Sequence, residues 1–213
     1  MSDAPEPRED RAAERFAAET GASGEQMRLL ERLRLMLADW NARINLVSAA
    51  SLAEYWIRHA LDSAQLLKLA PDARTWIDVG SGAGFPGLVL AVFLKGAPGA
   101  KVWLVESQAK KCRFLAAAVE ALDLPAEVVR ARAEATKLKA DIVTARAVAP
   151  LATLLGYAAP AMRLGATGLF LKGAGAAAEL VEARRRWRFE VASFPSVTNA
   201  EGRILKVQGL ARA

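Results

Sequence analysis

The chain has one cysteine, Cys112, and one histidine, His59, in 213 residues. A single cysteine excludes an intramolecular disulfide framework and points to a reducing compartment. One histidine and one cysteine cannot supply most zinc sites, which draw on several such ligands, so no metal is expected. Long apolar runs are also missing. The longest, GLVLAVFL, is far too short to span a bilayer, so no membrane partner is expected. The opening MSDAPEPRED is acidic and has no basic start followed by an apolar stretch. No signal peptide is therefore expected, and the location read is cytoplasmic. Acidic residues are the minority charge, 23 against 29 Lys and Arg, which leaves a net charge of +6. That balance suits a polyanionic partner, although solubility alone also accounts for it.

What is present is organised in two parts. Residues 1–22, rich in Ala, Glu and Arg, are expected as a flexible N-terminal segment, frayed or a loose helix. Ser23 and Gln26 then fit a capping box. Behind it Met27, Leu30, Leu33, Leu37, Trp40 and Ile44 recur as one helical stripe. A second helix is predicted from about Leu52 to Leu69, stopped by Pro71. These helices, residues 23–72, form an N-terminal extension. From residue 73 the rhythm alternates. Strands are predicted at 74–79, 101–106, 126–130, 140–145 and 167–172, and helices at 86–95, 108–122, 149–160 and 175–186. Such alternation builds a parallel sheet covered on both faces, an α/β fold. WRFEVASF and RILKVQGL, separated by the turn-rich PSVTNAEG, read as a terminal antiparallel pair.

Residues 76–87, WIDVGSGAGFPG, carry the most chemistry. A strand, a glycine-rich turn and a helix N-terminus make a socket for an adenosine-containing cofactor. GAGFPG matches the dinucleotide pattern G-x-G-x-x-G, which would imply a nicotinamide-dependent oxidoreductase. Asp78, one apolar residue, then Gly80, Gly82 and Gly84 match the S-adenosylmethionine turn position by position. A carboxylate just before the first glycine would repel a pyrophosphate and attract a methionine ammonium, so the second reading is preferred. Glu106 ends the second strand, where such folds place an acid on a ribose; both cofactors predict it. Ala133 and Glu134 follow the third strand, beside the expected adenine, although Glu134 alone also reads as a helix-start acid.

The loop after the fourth strand, DIVTARAVAP, lacks the Asn/Asp-Pro-Pro-aromatic signature of exocyclic amine methylation. Cys112 sits mid-helix, far in sequence from that loop, and so offers no nucleophile for pyrimidine carbon methylation. A ring nitrogen such as guanine N7 carries a lone pair and no proton, so its methylation needs neither nucleophile nor general base. Arg146, a charge at the end of an apolar strand, is the candidate positioning residue. It would hold the methionine carboxylate or a substrate phosphate, or else be a solvated loop arginine.

Together these residues resemble the ribosomal RNA small subunit methyltransferase G family, also called glucose-inhibited division protein B. The resemblance runs from about Leu30 to Gln208. It rests on Trp40-Asn41, Asn45-Leu46, the run Arg58 to Ser63, Ile77 to Gly87 with its GFPG ending, Lys110-Lys111, Arg113 to Leu115, Arg132 to Glu134, Ala145 to Ala147 and Leu171 to Gly173. It implies an S-adenosylmethionine-dependent methyltransferase, Rossmann-like, with a mostly parallel sheet, an antiparallel C-terminal strand and an N-terminal helical extension. It further implies methylation of guanine N7 at position 527 of 16S ribosomal RNA, with that RNA or the small ribosomal subunit as partner, and cofactor contacts on Gly80, Phe85, Ala133, Glu134 and Arg146. The family often has Asp where this chain has Glu106.

Several side chains keep two readings. His59 shares a helix face with Asp62; it either locks the extension to the sheet or meets RNA or the target base. Lys172 either meets phosphate or is solvated. Arg184, Arg185 and Arg186 either form a phosphate-contact surface or a solvated helix end. The same ambiguity attaches to the basic residues at 108–113. A non-catalytic RNA-binding protein of the same fold is the remaining alternative. A monomer is expected.

Overall fold

The computed structural model describes residues 8–213. Segment 1–7 of the stretch expected to be flexible lies outside the described residues. Of the two forms expected for this stretch, Arg8–Thr20 takes the helical one, α1. Phe16 is the reason. Its ring is fully buried, 5.4 Å from the Trp56 ring and 6.1 Å from Phe93. One buried phenylalanine is worth about 1.5–3 kcal/mol, enough to hold a short alanine-rich helix that would fray alone.

The capping box forms as its sequence requires. Ser23 Oγ accepts from the Gln26 amide, and Gln26 Oε1 accepts from the Ser23 amide at 2.8 Å. Helix α2, Gly24–Ile44, follows with Leu30, Leu33 and Leu37 fully buried. Asn45 ends it in the left-handed conformation. The Asn41 Oδ1 then accepts from the amides of Leu46 and Val47, which turns the chain back toward the sheet.

The predicted second helix is broken into pieces. Helix α3 spans Ala49–Leu52, a π-helix spans Tyr55–Leu61, α4 is the single turn Asp62–Ala64, and a 3-10 turn covers Gln65–Leu69. A π-helical turn widens the spiral and re-aims its side chains, and such turns gather at functional sites.

Beyond it the strands are β1 (Thr75–Val79), β2 (Lys101–Glu106), β3 (Ala126–Arg130), β4 (Ile142–Arg146), β5 (Thr167–Lys172), β6 (Trp187–Pro195) and β7 (Arg203–Arg212). They form one sheet in the order β3-β2-β1-β4-β5-β7-β6. All neighbours up to β5 are parallel, and β7 runs antiparallel between β5 and β6. Helices α5 (Gly87–Leu94), α6 (Ala109–Leu122), α7 (Leu151–Arg163) and α8 (Ala176–Arg184) connect the strands. One core joins α5, α6 and the N-terminal helices on one face; a second joins α7 and α8 on the other. Helix α5 is apolar on nearly every side because the sheet lies beneath it and the N-terminal helices lie above.

Candidate active site

Strand β1 has β2 on one side and β4 on the other, so the chain reverses its direction of winding there. Crevices at the carboxyl ends of such strands are where α/β folds bind ligands. The glycine turn occupies this place. The amides of Gly80 and Ser81 both donate to the Val105 carbonyl, at 2.8 and 3.1 Å, which bends the turn over the end of β2. Gly80 has φ of +66°, and a Cβ there would come within 2.8 Å of Val148. Only glycine fits both demands. At Gly87 the limit is contact rather than φ, since a Cβ would lie 2.7 Å from Asp78 Oδ2.

Two acids flank the turn, in different situations. Glu106 is 6% exposed, and its two oxygens accept from the amides of Gly82, at 3.0 Å, and Gln108, at 2.8 Å. The carboxylate is thereby fixed on the wall of a groove of about 200 Å³, with a lone pair on each oxygen left for a diol. Gly80, Ala133, Glu134, Val148 and Tyr157 also line this groove. Ala133 and Glu134 stand on a 3-10 turn after β3, at the edge of the groove.

Asp78 is fully buried beneath the turn. Its Oδ2 accepts from the Gly87 amide at the start of α5, at 3.0 Å, while its Oδ1 has no partner among the described residues. Burial pushes its carboxyl up to about 7, against the pull of the Gly87 amide, the Ser81 hydroxyl and the Arg146 charge, with the Glu106 charge adding to the rise. The carboxyl buried beneath the turn, half satisfied, fits a cofactor that brings positive charge better than it fits a pyrophosphate.

On the β4 side the π-helix meets the turn. The His59 ring stacks on Phe85 with centroids 4.6 Å apart, and the Arg146 guanidinium lies 5.2 Å from the centre of the same Phe85 ring. Arg146 donates Nη1–H to the Arg58 carbonyl at 2.6 Å and to Asp62 Oδ2 at 3.3 Å, and Nη2 meets His59 Nδ1 at 2.8 Å. Burial first, then the charges of Arg146 and Arg58, push the imidazole down to about 3, with the Ser51 backbone opposing in part. Burial also lowers Arg146 from its ordinary value, with Asp62 opposing.

The other predicted residues do not join this cluster. Lys172 is only 9% exposed; its Nζ donates to the Ala149 carbonyl at 2.9 Å and pairs with Glu179 at 2.6 Å. Glu179 also accepts from the Leu151 amide. Lys172 thus ties the end of β5 to the start of α7 rather than standing free in solvent. Arg184, Arg185 and Arg186 are exposed but precede β6, whose start lies at the end of the sheet opposite the glycine turn. Nine residues of β6 separate the two ends, on the order of 25 Å.

Sequence reasoning missed the partners that complete Asp62. Its Oδ1 accepts from Thr198 Oγ1 at 2.7 Å and Gln65 Nε2 at 2.9 Å. Thr198 belongs to the segment read only as a turn between two strands. No local pattern marks a hydroxyl that acts 136 residues away.

The model of the family described as rRNA small subunit methyltransferase G matches residues 26–205. This chain belongs to that family. Relatives bearing the name Ribosomal RNA small subunit methyltransferase G agree. One from a Caulobacter species is 57% identical, covering 92% of this chain and 88% of that protein. Another, from Parvibaculum lavamentivorans, is 47% identical, covering 93% and 89%. The fold is shared with an O-methyltransferase from Bacillus cereus solved in complex with SAH, with TM-score 0.60, 15% identity and coverage of 93% of this chain and 97% of that one. An SAH-bound methyltransferase from Podospora anserina gives TM-score 0.60, 11% identity and coverage of 98% and 97%. Family membership makes the chain a methyltransferase and removes the nicotinamide reading of the glycine turn.

Proposed function

We propose that this chain transfers the methyl group of S-adenosylmethionine to guanine N7 of 16S ribosomal RNA, acting on the RNA or on the small ribosomal subunit. The observation that carries this reading is the glycine turn with Glu106 fixed beside its groove, in a chain of this family. When bound, the cofactor would supply an electrophilic methyl on a sulfonium, whose sulfur would leave as the neutral thioether as the positive charge moves to the alkylated ring.

The protein's own groups bind and orient. Glu106 would accept from the two ribose hydroxyls with the lone pairs that its amide partners leave free. The backbone at Ala133 and Glu134 would read adenine. Gly80 would let the main chain approach the cofactor without a Cβ, and Asp78 would lie beneath its methionine end. Arg146 would take the methionine carboxylate or a phosphate of the RNA. Guanine N7 has no proton to lose, so no general base is required. The one histidine could not serve as one: its Nδ1 is engaged by Arg146 and its protonated form is disfavoured down to about pH 3. Orientation of the reactants alone is worth about 7–11 kcal/mol of such a barrier.

Transfer of labelled methyl from S-adenosylmethionine to small subunits lacking the modification tests this. Incorporation into 16S ribosomal RNA is expected. RNA binding with no incorporation would favour a non-catalytic RNA-binding protein instead.

A further inference from the structure

Arg146 is a permanent donor: a guanidinium has five N–H groups and no acceptor. Three of the five are used by the N-terminal helices, on the Arg58 carbonyl, Asp62 Oδ2 and His59 Nδ1. Those on Nε and the second on Nη2 have no acceptor among the described residues. Because Arg146 can only donate, His59 Nδ1 must be the acceptor, which fixes the imidazole as neutral with its proton on Nε2. The ring is 4% exposed and lies flat on Phe85, within 12° of parallel, so it has little freedom to turn. Asp62, which supplies the compensating charge, is itself fixed by Thr198 and Gln65.

From this geometry we infer that His59 is a positioning residue for Arg146: its neutral Nδ1 and its stack on Phe85 hold the guanidinium in one orientation beside the glycine turn. The N-terminal helices therefore contribute to the site through an acceptor, not through contact with the reacting atoms. This rests on the reading of Arg146 as a group that touches cofactor or substrate. The two free N–H groups of Arg146 then point where they do because His59 takes a third.

Four variants test it by two readouts, SAH affinity by calorimetry and kcat and KM for methyl transfer. His59→Leu removes the acceptor and keeps apolar bulk. His59→Asn restores an acceptor oxygen near the Nδ1 position without the ring. Arg146→Gln removes the group being positioned, and the double variant His59→Leu/Arg146→Gln completes a cycle. His59→Leu is expected to lose about ten- to hundredfold, the scale of one hydrogen bond to a charged group, in the same readout that Arg146→Gln moves. His59→Asn should stay within about threefold of the wild type, and the double variant should be no worse than Arg146→Gln alone. Equal losses in His59→Leu and His59→Asn would overturn the inference in favour of ring packing. Additive losses in the double variant would overturn it too, as would an Arg146→Gln variant that moves neither readout. Should His59→Leu not fold, His59→Phe asks the same question with a ring that lacks a nitrogen. The SAH arm needs no RNA, so it stands even if the RNA assignment fails.

Discussion

Gly80 and Asp78 answer to different physical limits although they lie two residues apart. Gly80 sits at positive φ against Val148, so a side chain there must displace a neighbour and strain the backbone. Gly80→Asp adds a negative charge as well. It is expected to weaken SAH binding by more than a hundredfold in calorimetry, with wild-type affinity contradicting the placement of the turn. Asp78 answers to burial. Its folded pKa of about 7 is raised above the usual carboxylate value, so its contribution to stability is present at low pH and lost as pH rises from about 4 to about 7. His59 has the opposite sign. Its folded pKa is depressed to about 3, so its contribution is present above about 6.5 and lost as pH falls. Between about pH 4 and 6.5 the two oppose each other in the wild type. Asp78→Asn keeps an acceptor for the Gly87 amide and removes the falling contribution. Its stability by urea unfolding should therefore rise more steeply with pH over that window than the wild type's; parallel curves would contradict the raised Asp78 pKa.

At the scale of elements, the docking of α1 centres on Phe16, with Ala12 and Ala13 packed beside it and Lys68 donating to the Glu19 carbonyl. Phe16→Ala should cost about 3–5 kcal/mol in unfolding free energy, the range for emptying a buried phenylalanine site. A loss below about 1 kcal/mol would mean that α1 is held by other means. Regular elements were legible because their signals are local: the capping box before α2, the stripe of leucines along it, and the strand-helix alternation after residue 73. The placement of the glycine turn, Glu106, and Ala133 with Glu134 around one groove was legible for the same reason, each being a short pattern at a strand end. The α1 docking was not, because a single aromatic in an Ala-rich segment shows nothing about the Trp56 and Phe93 rings it meets. Nor was the break of the predicted 52–69 helix into π and 3-10 turns. Its residues are ordinary helix formers, and the π-turn coincides with the bonds that Arg58, His59 and Asp62 make to Arg146, 84 to 88 residues away.

For the whole molecule, the sheet separates two basic regions. Lys110, Arg113 and Arg132 are exposed on segments that follow β2 and β3 at the end bearing the glycine turn; Arg184, Arg185 and Arg186 are exposed at the opposite end. A separation on the order of 25 Å is about three screening lengths at physiological salt. Replacing the three distant arginines by glutamine should therefore leave SAH affinity within about twofold of the wild type, measured calorimetrically. A tenfold loss would mean that the two ends are coupled through the fold.

The glycine turn, the fixed Glu106 and the Arg146 cluster converge on one claim, methyl transfer to a ring nitrogen by orientation without a general base. The most direct test is to react the protein with S-adenosylmethionine and unmodified small subunits, then digest the 16S ribosomal RNA and identify the methylated nucleoside by mass spectrometry. The account predicts 7-methylguanosine at a single nucleotide. Methyl on an exocyclic amine, a pyrimidine carbon or a ribose would contradict it.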